Sequence, residues 1–445
     1  MKRIALSLLL AIAAGAASAQ SVETRPRLTP AQMRDELLQV RRDYVARSPS
    51  FDAAAKVRAN RLIDRFSAAA DRLDGPRYLI GLARIAAAAD NGHDSLDVSK
   101  SPLRPRVRLP LRLVWLDDRL LVARAAPSAA DLVGCEVRRL GTLTPTRLAD
   151  RLAGTQGGLR RYARWNMSWV LHNPAMLEAL GVSPAKDETA IDVTCPDGRA
   201  RYRMLRAVAA AEVPPIPFPA AWWFPTLAPS EQRMDWRTIR ATTPLYLQQP
   251  ERLFRTAELP AMAALYVQFR DNSGTDDEPI DRFVATVADR LANAPPHNLI
   301  LDLRFDTGGD NTRNRALMRT IAAKVPGRTF VIVGPYTFSA GIASLAAVVH
   351  DGNGKVTIVG EPIGDRTHWW SEREDFCLPF SKACLHRQVG KWDVVNGCAG
   401  QRSCYGDQFD LRVRRLRPSL PAPLTAAAWR AGRDPSMEAV ANALR

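Results

Sequence analysis

The feature that most constrains the fold is a regular alternation of strand-like and helix-like segments after residue 263. Apolar strand patterns and helical patterns follow one another at 264–269, 280–291, 298–303, 314–325, 329–333, 340–350 and 356–359. Strands separated by helices of this length predict βαβ crossovers and a mostly parallel sheet. In such sheets, functional residues lie where strand ends meet helix starts.

The rest of the chain divides into regions of different character. Thr29-Pro30 marks a helix start, and apolar residues then recur at helical spacing. Short β-like runs, turns and a helix that begins at Thr144-Pro145 predict a small α+β module. The predicted divisions are a helical domain at 28–95, the small module at 101–205, an irregular connector rich in Pro and Trp at 206–260, and the βαβ core at 261–445.

The N-terminus predicts export. Met1-Lys2-Arg3 is basic, residues 4–17 form an apolar run, and Ala17-Ser18-Ala19 is a small-residue cleavage signature. The run is shorter than the roughly 20 apolar residues that a membrane span needs. We therefore expect a cleaved signal peptide at 1–19 and a periplasmic or secreted mature chain that begins near Gln20.

The chain is strongly basic, with a formal net charge of +16. Its basic residues are spread along the sequence, and no zinc-finger or RNA-binding signature accompanies them, which argues against nucleic acid as a partner. The positive charge leaves open the alternative that the protein associates with an anionic envelope surface. The oligomeric state is left open.

Six cysteines are present, and four of them lie within residues 377–404. In an oxidising exported compartment they are predicted to form disulfides, with the connectivity open. The sequence has no C-x-x-C pair and no neighbouring histidine cluster, so no metal site is predicted.

Two strand-to-helix junctions carry residues suited to catalysis. In the first, the strand that ends near Asp302 runs into the paired glycines Gly308 and Gly309, whose N–H groups can point at an anion. In the second, Ser339 opens a helix of small residues, where it suits either a nucleophile or an ordinary N-cap. The triplet Asp306-Thr307-Gly308 matches that of aspartic proteases, but it occurs once, and those enzymes need two carboxylates.

The order of three motifs resembles a known family. D-L-R-x-x-x-G-G begins at Asp302, T-F-S-A begins at Thr337, and V-G-E-x-x-G begins at Val359. This order is similar to that of the tail-specific peptidases, called S41, which include C-terminal processing proteases, tricorn protease and interphotoreceptor retinoid-binding protein. The resemblance covers about residues 260–445 and extends to Leu378-Pro379-Phe380-Ser381 and Gly432-Arg433-Asp434-Pro435. Upstream, the segment 134–141 resembles the strand and glycine turn of a PDZ domain.

The resemblance implies an α/β fold with a ClpP/crotonase-like core, an N-terminal helical domain and a small PDZ-like α+β module. It implies Ser339 as the nucleophile and an oxyanion hole formed by the N–H groups of Ala340 and of Gly308 or Gly309. It also implies hydrolysis of peptide bonds in a peptide or protein substrate through an acyl-enzyme, without a metal or an organic cofactor.

The general base is expected to be a histidine. Processing proteases use a lysine shortly after V-G-E, where this chain has Asp365, and neither Lys355 nor Lys382 matches that motif. Asn91-Gly92-His93-Asp94 resembles the D-G-H-T segment of the tricorn-like branch, which implies His93 as the base. His368 is the alternative.

The carboxylate that orients the histidine is expected to be Glu361, with Asp94 or Asp365 as alternatives. Together these calls predict an exported serine-type peptidase. The alternative is a non-catalytic protein on the same fold that binds peptides or apolar ligands.

Overall fold

The computed structural model describes residues 27–214, 223, 225–352, 354–398, 400–401, 403–405 and 411–445. The predicted signal peptide lies outside the described residues, and so do Pro215, Pro217, Pro219 and Trp222 of the predicted connector. Within the described part of the chain, no helix combines the length and the apolarity that a bilayer span requires.

The N-terminal region is helical, as predicted. Its elements are α1 (Pro30–Gln39), which continues as a π-helix (Val40–Val45), α2 (Ala53–Ala68), α3 (Gly75–Ala87) and the short strand β1 (Leu96–Asp97). Thr29 caps α1, because its hydroxyl accepts from the Gln32 N–H while the Gln32 side chain accepts from the Thr29 N–H. The apolar faces of these helices pack into one core with the module that follows.

The second region is an antiparallel sheet with short helices. Its elements are β2 (Val107–Arg108), β3 (Leu111–Leu116), β4 (Arg119–Ala125), β5 (Glu136–Leu140), α4 (Pro145–Ala153), α5 (Arg160–Asn166), α6 (Ser168–Leu171), α7 (Pro174–Ala179), β6 (Glu188–Thr194), β7 (Ala200–Arg206), β8 (Val208–Ala209), α8 (Pro229–Arg233) and β9 (Arg237–Thr238). The strand order is β3-β4-β5-β6-β7, with β9 beside β4 and β2 paired with β8. A disulfide between Cys135 and Cys195 links the start of β5 to the end of β6.

The third region is the predicted βαβ core. Its elements are β10 (Phe254–Leu259), β11 (Ala264–Phe269), α9 (Ile280–Asn293), β12 (Asn298–Asp302), α10 (Arg315–Thr320), β13 (Thr329–Val333), α11 (Ala340–Asp351), β14 (Val356–Gly360), β15 (His368–Cys377), β16 (Cys384–Asp393), β17 (Leu420–Pro421), α12 (Ala426–Arg430) and α13 (Pro435–Ala443). The sheet order is β10-β11-β12-β13-β14-β17. Every neighbouring pair in it is parallel except β10 and β11.

The central strands are buried on both faces. Along β12, Leu299 and Leu301 pack into one core, with α9, α10 and α11, and Ile300 between them packs into another, with α13. This alternation follows from the two-residue period of a strand. Because β12, β13 and β14 are parallel, their carboxyl ends lie at one edge of the sheet, where the motif residues follow each strand.

A hairpin that the sequence did not predict connects the regions. β15 and β16 pair over their whole length, and β1 adds to the free side of β16. Disulfides between Cys377 and Cys384 and between Cys398 and Cys404 close the end of this hairpin and the loop that follows it. The pairing of β1 brings the turn after α3 to the core.

The prediction of a mixed α/β chain is confirmed, and each predicted core strand and helix is present within a few residues. The segment 206–260, predicted to be an irregular connector, contains β8, α8, β9 and β10. Of these, β10 forms the edge of the main sheet by pairing Phe254 with Phe269.

Candidate active site

Ser339 stands at the strand-to-helix junction between β13 and α11 with an unusual backbone. Its φ is +53° and its ψ is −123°, although it is not glycine. Its side chain makes no capping hydrogen bond, and the residue is partly exposed. A strained, partly exposed serine at a tight turn is typical of nucleophiles held for attack, whereas an N-cap serine has an extended backbone and a bonded hydroxyl. The geometry therefore speaks against the N-cap interpretation.

Hydrogen bonds from neighbouring loops hold this turn. The Thr337 hydroxyl donates to the Leu303 carbonyl at 2.8 Å and accepts from the Gly334 N–H at 3.0 Å. The Phe338 N–H donates to the Asp306 carbonyl at 3.0 Å. These bonds join the loop after β12 to the loop after β13.

The two predicted junctions are in direct contact. A Cβ atom added at Gly308 would lie 2.6 Å from the Ser339 Cβ and 3.1 Å from the Ala340 nitrogen. Gly308 also has a φ of +106°, which side chains rarely adopt. Only glycine therefore lets the first junction approach the serine this closely.

The predicted oxyanion donors differ in their availability. The Gly308 N–H already donates to the Asp306 carboxylate at 3.0 Å. Among the described residues, the N–H groups of Gly309 and Ala340 have no hydrogen-bond acceptor. Ala340 is the first residue of α11, where an unpaired N–H and the helix dipole both favour a negative charge. The arrangement favours Gly309 and Ala340 over Gly308.

Asp306 stabilises this loop through hydrogen bonds. Its buried carboxylate accepts from the Asn272 side-chain nitrogen at 3.0 Å on both oxygens. Burial raises the pKa of Asp306 well above the ordinary range of a carboxyl. The charge of Asp271 adds to this rise, but the group bonded to both Asp306 oxygens is the Asn272 amide and not a second carboxyl, unlike the paired carboxyls of an aspartic protease.

His93 lies beside the serine turn. Its ring stacks on Phe338, the residue before Ser339, with the ring centres 4.4 Å apart. Its Nδ1 atom is 3.9 Å from the Asp365 Oδ2 atom, which is longer than a hydrogen bond. Among the described residues neither ring nitrogen of His93 has a hydrogen-bond partner, and neither does Asp365 Oδ2. Two polar groups thus face each other in a buried place, and both have bonding capacity left.

The turn that carries His93 is fixed from two sides. Gln156 donates to the Gly92 carbonyl and Gln388 of β16 donates to the His93 carbonyl, each at 2.8 Å. The Asn91 side chain exchanges two hydrogen bonds of 3.0 Å with the backbone of Trp370 in β15. The hairpin and the small module together therefore set the position of the imidazole.

Burial shifts both members of the His93 and Asp365 pair towards their neutral forms. Desolvation lowers the pKa of His93 to about 3 and raises the pKa of Asp365 to about 7. His93 is then uncharged at neutral pH, which is the form that can accept a proton. Asp365 titrates in the neutral range, so small changes of environment change its charge.

The other candidates lie elsewhere. Glu361 lines a separate cavity with Arg304, Tyr336 and Asp434, where burial raises its pKa to about 7. Asp94 is buried and accepts hydrogen bonds from Tyr44, Ser50 and Asn91. The structure therefore places Asp365, and neither Glu361 nor Asp94, next to the imidazole.

Among the described residues, the remaining candidate bases form no ion pair with Asp365. His368 is exposed at the start of β15 and lines the same cleft as Asp365. Lys355 is exposed just before β14, at the opposite edge of the sheet, and Lys382 is exposed at the tip of the hairpin.

Within the described residues, no group of three or more His, Cys, Asp or Glu side chains is arranged to hold a metal ion. All six cysteines are paired in the three disulfides.

Comparison with solved structures identifies a shared fold. The chain superimposes on a Ser-to-Ala mutant of CPAF with a TM-score of 0.56 at 10% sequence identity, covering 93% of this chain and 96% of that chain. Mature CPAF complexed with lactacystin gives a TM-score of 0.53 at 11% identity, covering 93% and 97% of the two chains. This chain has the fold of CPAF. A more distant likeness, with a TM-score of 0.39 at 13% identity, is to the photosystem II D1 C-terminal processing protease.

The CPAF-like fold is recognised in the structure and not in the sequence. No family model matches the sequence, and no curated protein sequence is significantly similar to it. The likeness to CPAF covers nearly the whole of both chains, so it includes the helical region and the antiparallel module as well as the core.

Proposed function

We propose that this protein is a serine-type peptidase of the S41 kind, with Ser339 as the nucleophile and His93 as the general base. The observation that carries the proposal is the strained Ser339 backbone beside the buried pair of His93 and Asp365. The shared fold with CPAF and the motif order in the core support it. We also propose that the core is ClpP/crotonase-like and that the antiparallel module is a PDZ-like domain.

The residues suggest one sequence of steps. Nε2 of His93 takes the proton of the Ser339 hydroxyl while Oγ bonds to the carbonyl carbon of the scissile peptide. The N–H groups of Ala340 and Gly309 donate to the oxyanion that forms, and each such donor is worth about 3 kcal/mol in the transition state.

The acyl-enzyme then forms and is hydrolysed. His93 gives its proton to the leaving amine as the C–N bond breaks, and water later attacks the ester, with His93 as base again. In this scheme Asp365 replaces Glu361 as the group that orients the imidazole, because Asp365 faces Nδ1 and leaves Nε2 free for the serine. Asp365 acts through His93 and is a positioning residue.

Labelling with a fluorophosphonate probe tests the nucleophile. We expect the wild-type protein to be labelled and Ser339→Ala to remain unlabelled, with both showing the same thermal unfolding. Ser419→Ala, which alters an exposed serine of the same core, is the control and should label like the wild type. Folded wild-type protein that does not react would contradict the proposal and favour a non-catalytic binding protein on this fold.

We further propose that the chain is exported and that its signal peptide is cleaved near Gln20. The N-terminal pattern supports this proposal, as does the pairing of all six cysteines, since disulfides persist in oxidising compartments. N-terminal sequencing of protein recovered from the periplasm or the medium tests it. A mature chain that still starts at Met1 would refute cleavage.

A further inference from the structure

A cleft opens next to the candidate active site. Its volume is about 770 Å³, which lies in the range of ligand-binding clefts. Its walls are formed mainly by the start of α5, the loop that follows β14 up to His368, and residues 414–418, and Val395 and Pro421 complete them. Asp365, which faces His93, belongs to the wall, so the cleft and the candidate site share a residue.

The cleft is lined by five arginines: Arg161, Arg366, Arg414, Arg415 and Arg417. Arg366 is neutralised, because it forms an ion pair of 2.9 Å with Asp90. Among the described residues, the other four have no carboxylate within ion-pair distance. The acidic group in the wall is Asp365, whose Oδ1 accepts from the Arg366 N–H and whose Oδ2 faces His93. The cleft thus has a surplus of positive charge.

The arginines are presented by a packed segment. Leu411, Val413 and Leu416 are buried in the core of the main sheet, whereas Arg414, Arg415 and Arg417 between and beside them are exposed. This packing fixes the backbone that carries the guanidinium groups, so less entropy is lost when they bind. Arg161 approaches from α5, and burial together with the charges of Arg164 and Arg417 lowers its pKa.

The cleft also has apolar surface. Pro362, Ile363, Leu416 and Pro418 contribute to its walls. Apolar walls combined with guanidinium groups suit an extended peptide that carries carboxylates, since arginine binds carboxylates through paired hydrogen bonds.

We propose that this cleft is a specificity subsite that binds acidic side chains of the peptide substrate, so that the preferred substrates carry Asp or Glu near the scissile bond. The inference rests on the proposed peptidase function, because that function supplies the peptide. The inference adds a substrate class, acidic peptides, to the proposed peptidase function.

Binding to the inactive full-length mature variant Ser339→Ala tests the subsite without turnover. Two fluorescent peptides of equal length would differ only in several Glu-to-Gln exchanges, and fluorescence anisotropy would give their Kd values. We expect the Glu peptide to bind at least about tenfold more tightly at low salt, and the advantage to shrink as salt screens the charges.

A charge reversal and a matched control locate the effect. Arg414→Glu combined with Arg415→Glu should remove the preference for the Glu peptide. The control is Arg199→Glu combined with Arg206→Glu, which changes the net charge equally at two exposed arginines of the antiparallel module and should keep the preference.

The outcomes separate this inference from the proposed function. Equal binding of both peptides, or no binding of either at millimolar concentration, overturns the subsite. Binding to phosphatidylglycerol vesicles or to inorganic phosphate that depends on Arg414 and Arg415, without discrimination between the peptides, overturns it also. Fluorophosphonate labelling of the Ser339 protein reports on the peptidase proposal independently of all these results.

Discussion

Asp365 shows how much the chemistry of one residue depends on its surroundings. It stands about where processing proteases have a lysine after V-G-E, and the structure buries its carboxyl beside an imidazole. Burial raises its pKa to about 7, so at neutral pH it is divided between the acid and the carboxylate. As a carboxylate it can accept a hydrogen bond from Nδ1–H and select the tautomer with a basic Nε2.

The rate of fluorophosphonate labelling is therefore expected to rise from about pH 5 to about pH 8, with an apparent pKa near 7 that belongs to the coupled pair. Asp365→Asn cannot ionise. This variant should be labelled about 10²- to 10⁴-fold more slowly, and its labelling rate should no longer rise between pH 5 and pH 8. Stopped-time labelling across pH measures both effects, and a wild-type profile in Asp365→Asn would show that the carboxyl does not position His93.

Glu361 provides the matched residue, because burial raises its pKa to about 7 as well but in a different cavity. We expect Glu361→Gln to label at a rate close to that of the wild type. Substantial loss of labelling in a folded variant would restore Glu361 as a candidate for the orienting group.

Glu361 should also affect stability in a pH-dependent way. Its folded-state pKa lies above the unfolded value, so its contribution is present at low pH and is lost as the pH rises from about 4.5 to about 7. The stability of Glu361→Gln relative to the wild type should therefore increase between pH 4 and pH 8. Urea unfolding at both ends of this range measures the change.

At the scale of elements, the contact between two strand-to-helix junctions is the main constraint on the site. Gly308→Ala would place a Cβ against Ser339 and would also strain a backbone with a φ of +106°. We expect it to destabilise the protein by about 1–3 kcal/mol and to abolish labelling. Gly198→Ala is the control: its φ is +77° and its Cβ would meet no atom within 4 Å, so it should lose some stability and keep its labelling.

The elements of the core could be predicted because their signal is local. An apolar run such as Phe330–Ile332 predicts a strand from its own residues, independently of its neighbours. The glycines and Ser339 mark the turns. The hairpin of β15 and β16 was not predicted, since its polar, partly exposed strands lack a clear apolar period. The choice of Asp365 over Glu361 depends on loop conformation, which one sequence does not reveal. The raised pKa of Asp365 comes mainly from burial, and the charge of Asp90 adds to the rise.

At the scale of the whole molecule, the disulfides should differ in what they contribute. Cys135–Cys195 closes a loop of 60 residues and Cys398–Cys404 one of 6. Loop-closure entropy predicts that the first stabilises by about 4 kcal/mol and the second by about 2 kcal/mol. Replacing each pair by Ala and comparing urea midpoints tests this order. The reverse order would show that native-state packing, and not chain entropy, dominates.

The Gln388 side chain donates to the backbone carbonyl of His93, and the two residues are 295 apart in the chain. His93 therefore reaches its place beside Ser339 only after the N-terminal helices, the small module and the late hairpin have all folded and docked. Contacts of such long range form slowly. On the proposed mechanism, a partly folded chain would carry Ser339 without its base, so reactivity towards a fluorophosphonate should appear only once the late hairpin has docked.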